Sequence, residues 1–124
     1  MECPKCSFLM EDVKVEGIVI KRCTSCKGLW FNSAEHEYLK GLEGSEKIDT
    51  GDPDVGKDFN KIEDIYCPGC SAPMIKMVVA QQPHIWYESC SNCFSVFFDA
   101  GEFSDYIKED ITDILKDLFT PERK

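Results

Sequence analysis

The chain has 124 residues, a formal net charge of −9 and eight cysteines. That length ordinarily makes one domain, and the acidic balance is a poor electrostatic start for a protein that must neutralise a phosphate backbone. No apolar run approaches the roughly 18 residues of a membrane span, and Met1-Glu2-Cys3 leaves no room for a signal peptide, so a cytoplasmic chain without membrane contact is expected.

In chain order, Cys3-Pro-Lys-Cys6 reads as a tight knuckle whose backbone N–H groups point at sulfur. Residues 10–15 and 18–21 read as strands joined by a turn at Glu16-Gly17. That hairpin returns Cys23 and Cys26 to the side of Cys3 and Cys6. Gly28 follows where a positive φ is often wanted, and Leu29-Trp30-Phe31 reads as a short third strand. Asn32 is expected to cap a helix that runs to Lys40, with Glu35 completing a capping box.

Residues 41–57 are acidic, glycine-rich and poor in apolar side chains, as in a mobile linker. Asp52, Asp54, Gly56, Asp58 and Glu63 fall at positions 1, 3, 5, 7 and 12 of a calcium loop. Lys57 at the sixth position, where the loop turns on glycine, argues against calcium. Residues 59–65 read as a short helix or strand leading into Cys67-Pro-Gly-Cys70. A second hairpin follows over 74–80 and 85–88, and the longer spacer before Cys90 and Cys93 is most economically placed in the connecting loop at 81–84. Asp99-Ala-Gly-Glu102 repeats the capping device, which is a better account of these carboxylates than acid/base catalysis. From about 100 to 119, Phe103, Tyr106, Ile107, Ile111, Ile114, Leu115 and Leu118 recur at helical spacing. Such a helix is longer than one ribbon, so its stripe must pack across the first ribbon or against another chain, a homodimer being one form of the latter.

The cysteines therefore fall in two groups, Cys3, Cys6, Cys23 and Cys26, then Cys67, Cys70, Cys90 and Cys93, spaced C-x2-C-x16-C-x2-C and C-x2-C-x19-C-x2-C. Both satisfy the four-cysteine zinc pattern, and modules of about 40 residues need such a staple. Two zinc ions per chain are expected. Each closed site brings one dication and removes four thiol protons, taking the formal charge from −9 to about −13. The expected fold is a small metal-stabilised α+β chain: zinc ribbon 1 over residues 1–43, an acidic linker over 44–65, and zinc ribbon 2 with the long amphipathic helix over 66–124. Each ribbon is a hairpin, a short third strand and a helix.

The pattern Cys-Pro-x-Cys, hairpin, Cys-x-x-Cys-x-Gly-x-Trp-Phe-Asn-x-x-Glu resembles the transcription factor IIB-type zinc-finger family. Cys3, Pro4, Cys6, Cys23, Cys26, Gly28, Trp30, Asn32 and Glu35 carry the resemblance in the first copy. In the second copy Ser95 stands for the glycine and Phe97 for the tryptophan, and Ser7 and Ser71 stand where the family usually has glycine. The resemblance implies zinc ribbons with structural metal.

Closed sites have no open coordination position, so no enzyme is expected. His36 reads as a surface or half-buried helical residue and His84 as solvated. Trp30, Phe31, Trp86, Tyr87, Phe97 and Phe98 read as core ahead of base-stacking residues. Lys5, Lys14, Lys21, Arg22 and Lys27 form the one patch suited to phosphate. With Lys5, Arg22 and Lys27 beside the first site and the neutral Pro68, Gly69, Ser91 and Asn92 beside the second, the second site is expected to release zinc first. The leading reading is a non-enzymatic protein-interaction module associated with transcription, its partner unidentified. The alternatives are nucleic-acid binding through ribbon 1 and a thiol redox or zinc-release sensor in ribbon 2.

Overall fold

The computed structural model describes residues 1–42, 44–79 and 82–107. Its strands are β1 (Met10–Val15), β2 (Ile18–Cys23), β3 (Leu29–Phe31), β4 (Met74–Val79), β5 (Gln82–Cys90) and β6 (Val96–Phe98). Helix α1 spans Glu35–Lys40, α2 spans Pro53–Phe59, and a further helix, α3, covers 102–107. The two cysteine modules contribute three strands each to one antiparallel sheet, ordered β1-β2-β3-β6-β5-β4.

The seam of that sheet is β3 against β6, with Leu29 opposite Phe98, Trp30 opposite Phe97 and Phe31 opposite Val96. All six residues are buried. Successive side chains of a strand point to opposite faces, so these two short strands feed two cores at once. Leu29, Phe31, Val96 and Phe98 join Ile20, Leu39, Ile48, Phe103, Tyr106 and Ile107 under the helices. Trp30 and Phe97 join the cysteines, Ile65 and Met74 on the opposite face. The helical face holds ring against ring, Phe31 lying 5.0 Å from Phe103 and Phe98 5.5 Å from Tyr106. Thus α3 packs across ribbon 1 as well as its own ribbon. The rest of the expected long C-terminal helix, from residue 108 on, lies outside the described residues.

Hairpin β1–β2 keeps one register throughout and turns on Glu16 and Gly17, both at positive φ. In the second hairpin Val79 pairs with Gln82. The three additional residues of its spacer, expected in a loop at 81–84, lie instead beyond that pair. They enter β5, where the pairing steps from Val78↔Trp86 to Val79↔Gln82, and this irregularity accompanies a fully buried Ile85. An apolar side chain that can reach the core favours a bulge in the strand over slack in the loop.

Two further expectations are corrected. Gly28 does not have positive φ; Lys27 before it does, at 65°. Gly28 is required because a Cβ there would lie 2.2 Å from the Phe97 ring. The capping box of α1 is half formed: Glu35 accepts from the Asn32 N–H at 2.9 Å, but no side chain caps the helix, which begins after Ala34 at φ 67°.

The acidic segment is not a featureless linker in the described residues. Residues Ser45–Ile48 form a 3-10 turn, Ile48 enters the core, and Asp52 caps α2 by accepting from the Asp54 N–H, with Pro53 at the first turn. Asp49 accepts from the Gly101 and Ser104 N–H groups, both at 2.9 Å, and so caps α3 from a distant part of the chain. With Asp52 committed to the cap, no calcium loop forms: among the described residues the only groups of metal-ligating side chains that converge are the cysteines.

Helix α2 lies on Ala100 so closely that a Cβ on Gly56 would be 1.9 Å from the Ala100 carbonyl oxygen. Gly56→Ala is expected to cost about 1–3 kcal/mol, while Gly41→Ala, whose Cβ meets nothing nearer than 3.7 Å, stays near wild type. Urea midpoints of the two variants check this.

Candidate metal centres

Each cysteine group is assembled the same way. Cys3 N–H donates to the Phe8 carbonyl and Cys67 N–H to that of Ala72; Ser7 N–H donates to Cys3 and Ser71 N–H to Cys67. Ser7 and Ser71 take positive φ, 67° and 68°, which accounts for the glycine usual at that place. At the second knuckles Cys23 N–H donates to Gly28 and Cys90 N–H to Ser95, while Lys27 and Phe94 take positive φ. These hydrogen bonds recur at matching positions in the two modules, so the two knuckle pairs share a backbone arrangement even where side chains differ.

The sulfurs converge. Cys3 and Cys26 Sγ lie 3.7 Å apart and Cys6 and Cys23 Sγ 3.3 Å; Cys67–Cys93 and Cys70–Cys90 measure 3.7 and 3.4 Å. All four sulfurs of each group fall within 4.8 Å of one another. Zinc–sulfur bonds of about 2.3 Å place tetrahedral sulfurs roughly 3.8 Å apart, so both groups fit that ion. Backbone N–H groups of Ser25 and Cys26 point at Cys23 Sγ, and those of Asn92 and Cys93 at Cys90 Sγ. These donors favour thiolate.

The titration pattern has the same meaning. Contact with Cys26 and the N–H groups of Lys5 and Cys6 draw Cys3 down to about 5, whereas contact with Cys3 and then burial push Cys26 far up. In the second group the Ala72 N–H draws Cys70 down to about 6, while burial raises Cys67 to about 12. Sulfurs this crowded cannot all ionise unless a cation lies among them, and a bound metal deprotonates coordinating thiols outright.

The groups differ in access. Cys3, Cys23 and Cys26 are buried and Cys6 half-buried, whereas Cys70 is exposed and Cys93 half-buried. Two of the three cations expected to offset the first group are engaged elsewhere: the Lys5 ammonium is bound by Asp99 and the Phe59 carbonyl, and Arg22 pairs with Glu11 at 3.0 Å and donates to the Ile48 carbonyl.

Lys5 instead crosses to ribbon 2. Its side chain is fully buried; the ammonium donates to Asp99 at 2.7 Å and to the Phe59 carbonyl at 2.9 Å, and forms an ion pair with Glu88 at 2.9 Å. The place of Lys5 in the first knuckle is taken by Gly69 in the second. Trp30 packs over Gly69, and Phe97 packs over Gly28 and lies 5.8 Å from the Lys5 ammonium. The smaller ring of the drifted copy thus matches the larger knuckle residue opposite it. Sequence reasoning missed this cluster; the one signal was Lys5 standing where the repeat has glycine.

Burial raises Asp99 to about 6 from an ordinary 3.8, although Lys5 pulls it down. A carboxyl whose folded value is raised binds its proton more tightly when folded, so its contribution is most favourable below its unfolded value. That contribution falls as pH rises through about 6. At 1.36 kcal/mol per decade the displacement is worth about 3 kcal/mol. The stability difference between Asp99→Asn and wild type is therefore expected to move in the variant's favour between pH 4 and pH 7, by urea titration at each pH.

Of the aromatic residues, Trp30, Phe31, Phe97 and Phe98 are buried and Trp86 is 38% exposed. His36 is more enclosed than expected, 8% exposed among Phe31, Tyr87, Phe98 and Tyr106, and burial lowers its pKa. The His84 side chain lies outside what is described. Lys21 is paired with Asp12 across the hairpin.

With this geometry in hand, the first module can be placed. Residues 2–41 match the family described as transcription factor zinc-finger, of the zinc-ribbon type. The match covers the first cysteine group and its hairpin; the second group lies outside it. No curated protein and no solved structure matches the chain.

Proposed function

We propose that the chain is a non-enzymatic zinc protein in which two structural ribbons, fused through one sheet, present a protein-interaction surface, in association with transcription and in the cytoplasm. The observation that carries this reading is at the knuckle ends. Phe8, Leu9, Tyr66 and Phe94 are 58–66% exposed there, while the sulfurs beside them form closed groups with no position left for substrate. The family name matched by residues 2–41 supports the association with transcription. Among the described residues no helix is long and apolar enough to cross a membrane.

A stoichiometric partner retained by the zinc-loaded chain and lost on Phe8→Ser/Phe94→Ser, with zinc content unchanged, is the expected result. Equal retention by the variant overturns it. Nucleic-acid binding is disfavoured, because four of the sheet aromatics, Trp30, Phe31, Phe97 and Phe98, are core and both Lys21 and Arg22 are paired with acids.

One observation favours a second reading, zinc release at ribbon 2: Cys70 is exposed and Cys93 half-buried, whereas three of the first group's four cysteines are buried. With peroxide as oxidant, two thiolates of this group form a disulfide, the peroxide is reduced to water and zinc leaves. The second group is expected to lose zinc first, with alkylation by iodoacetamide reaching Cys70 and Cys93 before any cysteine of the first group. Simultaneous labelling of both groups contradicts this.

A further inference from the structure

Where the end of the acidic segment meets β4 and β5 lies a cavity of about 250 Å³ that no cysteine lines. Its lining combines the apolar Ile62, Ile65 and Met74 with three carboxylates, Glu63, Asp64 and Glu88, and one cation, Lys76. Glu63 and Asp64 are exposed at the rim, but Glu88 is 2% exposed. Its Oε2 lies 2.9 Å from the Lys5 ammonium and 3.6 Å from that of Lys76, yet neither carboxylate oxygen has a hydrogen-bond donor, and Oε1 lacks even an ion-pair contact at those distances. Lys76, also on the cavity wall, is held by the Asn60 carbonyl and does not supply the missing donor. A buried carboxylate oxygen without a donor is costly, and an N–H donor entering the cavity would relieve it. A metal ion does not fit, since these carboxylates do not converge as the cysteines do.

We propose that this cavity receives one arginine side chain from a basic segment of a partner protein. The aliphatic stem lies along Ile62, Ile65 and Met74, and the guanidinium reaches Glu88 Oε1 between Glu63 and Asp64. A long basic side chain buries its stem while its head stays polar, and a guanidinium has enough donors for several separate acceptors. The chain's charge of −9 favours such a partner. The proposal rests on the reading of the chain as an interaction module and names the chemistry of its partner.

The test is a titration of the zinc-loaded full chain with a capped pentapeptide, one arginine flanked by glycines, followed by amide NMR shifts. Saturable shifts at residues 62–65, 74 and 76 are expected, at least tenfold weaker for the same peptide with norleucine. Glu63→Gln/Asp64→Asn is expected to weaken binding about tenfold, and Glu16→Gln/Glu37→Gln, the same charge change elsewhere, less than twofold. Glu88→Gln, which disturbs Lys5 as well, is a secondary variant. No shifts, equal binding of norleucine, or equal loss in both double variants overturns the proposal. The interaction-module reading would then still be judged by the knuckle-end variant, so the two failures are separable.

Discussion

Replacing Lys5 with methionine is expected to lower the unfolding free energy by about 3–5 kcal/mol, the usual cost of removing one partner from a buried ion pair. The ammonium is fully buried and has three oxygens within 2.9 Å. Its loss leaves Glu88 and Asp99 buried, at 2% and 1% exposure, with Lys76 3.6 Å from Glu88. Lys5→Met combined with Glu88→Gln and Asp99→Asn removes the stranded charges and is expected to recover part of the loss. Urea unfolding of the zinc-loaded chains measures both. A loss below about 1 kcal/mol for Lys5→Met would show that the cluster does not couple the two ribbons.

The second large effect is expected from Cys67→Ser/Cys90→Ser. Structural zinc binding contributes about 10–16 kcal/mol of apparent free energy in small zinc modules, so ribbon 2 should lose its order. The effect should also cross the seam. Trp30 of ribbon 1 packs on Gly69 in the second knuckle, Phe97 of ribbon 2 packs on Gly28 beside the first, and both rings share one core with Cys3, Cys23, Cys26, Cys67 and Cys90. The remaining zinc at Cys3, Cys6, Cys23 and Cys26 is therefore expected to pass to a competing chelator at least tenfold more readily than in the wild type. An unchanged first-site affinity would mean that the ribbons fold independently.

What the sequence made legible was local. Cysteine spacing located both sulfur groups, and strand and turn signals located five of the six strands to within a few residues, the third strand of the second module being expected without bounds, because hairpins and knuckles are fixed by neighbours in the chain. The pairing of β3 with β6 was not legible, since three apolar residues in a row show burial on both faces but not the partner. The roles of Asp99 and Asp49 were not legible for the same reason. Asp99 has the spacing of a cap yet turns to Lys5, and Asp49, about 50 residues away, caps α3 in its place. Acidic composition likewise concealed α2, whose stability comes from the Asp52 cap and its close seat on Ala100 rather than from an apolar face.

The most direct test of the central claim is zinc content by elemental analysis of the full chain, purified without added metal, beside a count of reactive thiols in native and unfolded protein. Two zinc ions per chain are expected, with all eight thiols appearing only on unfolding in the presence of chelator. One zinc or none in folded protein, with four or more thiols freely reactive, would contradict the account of two closed metal centres.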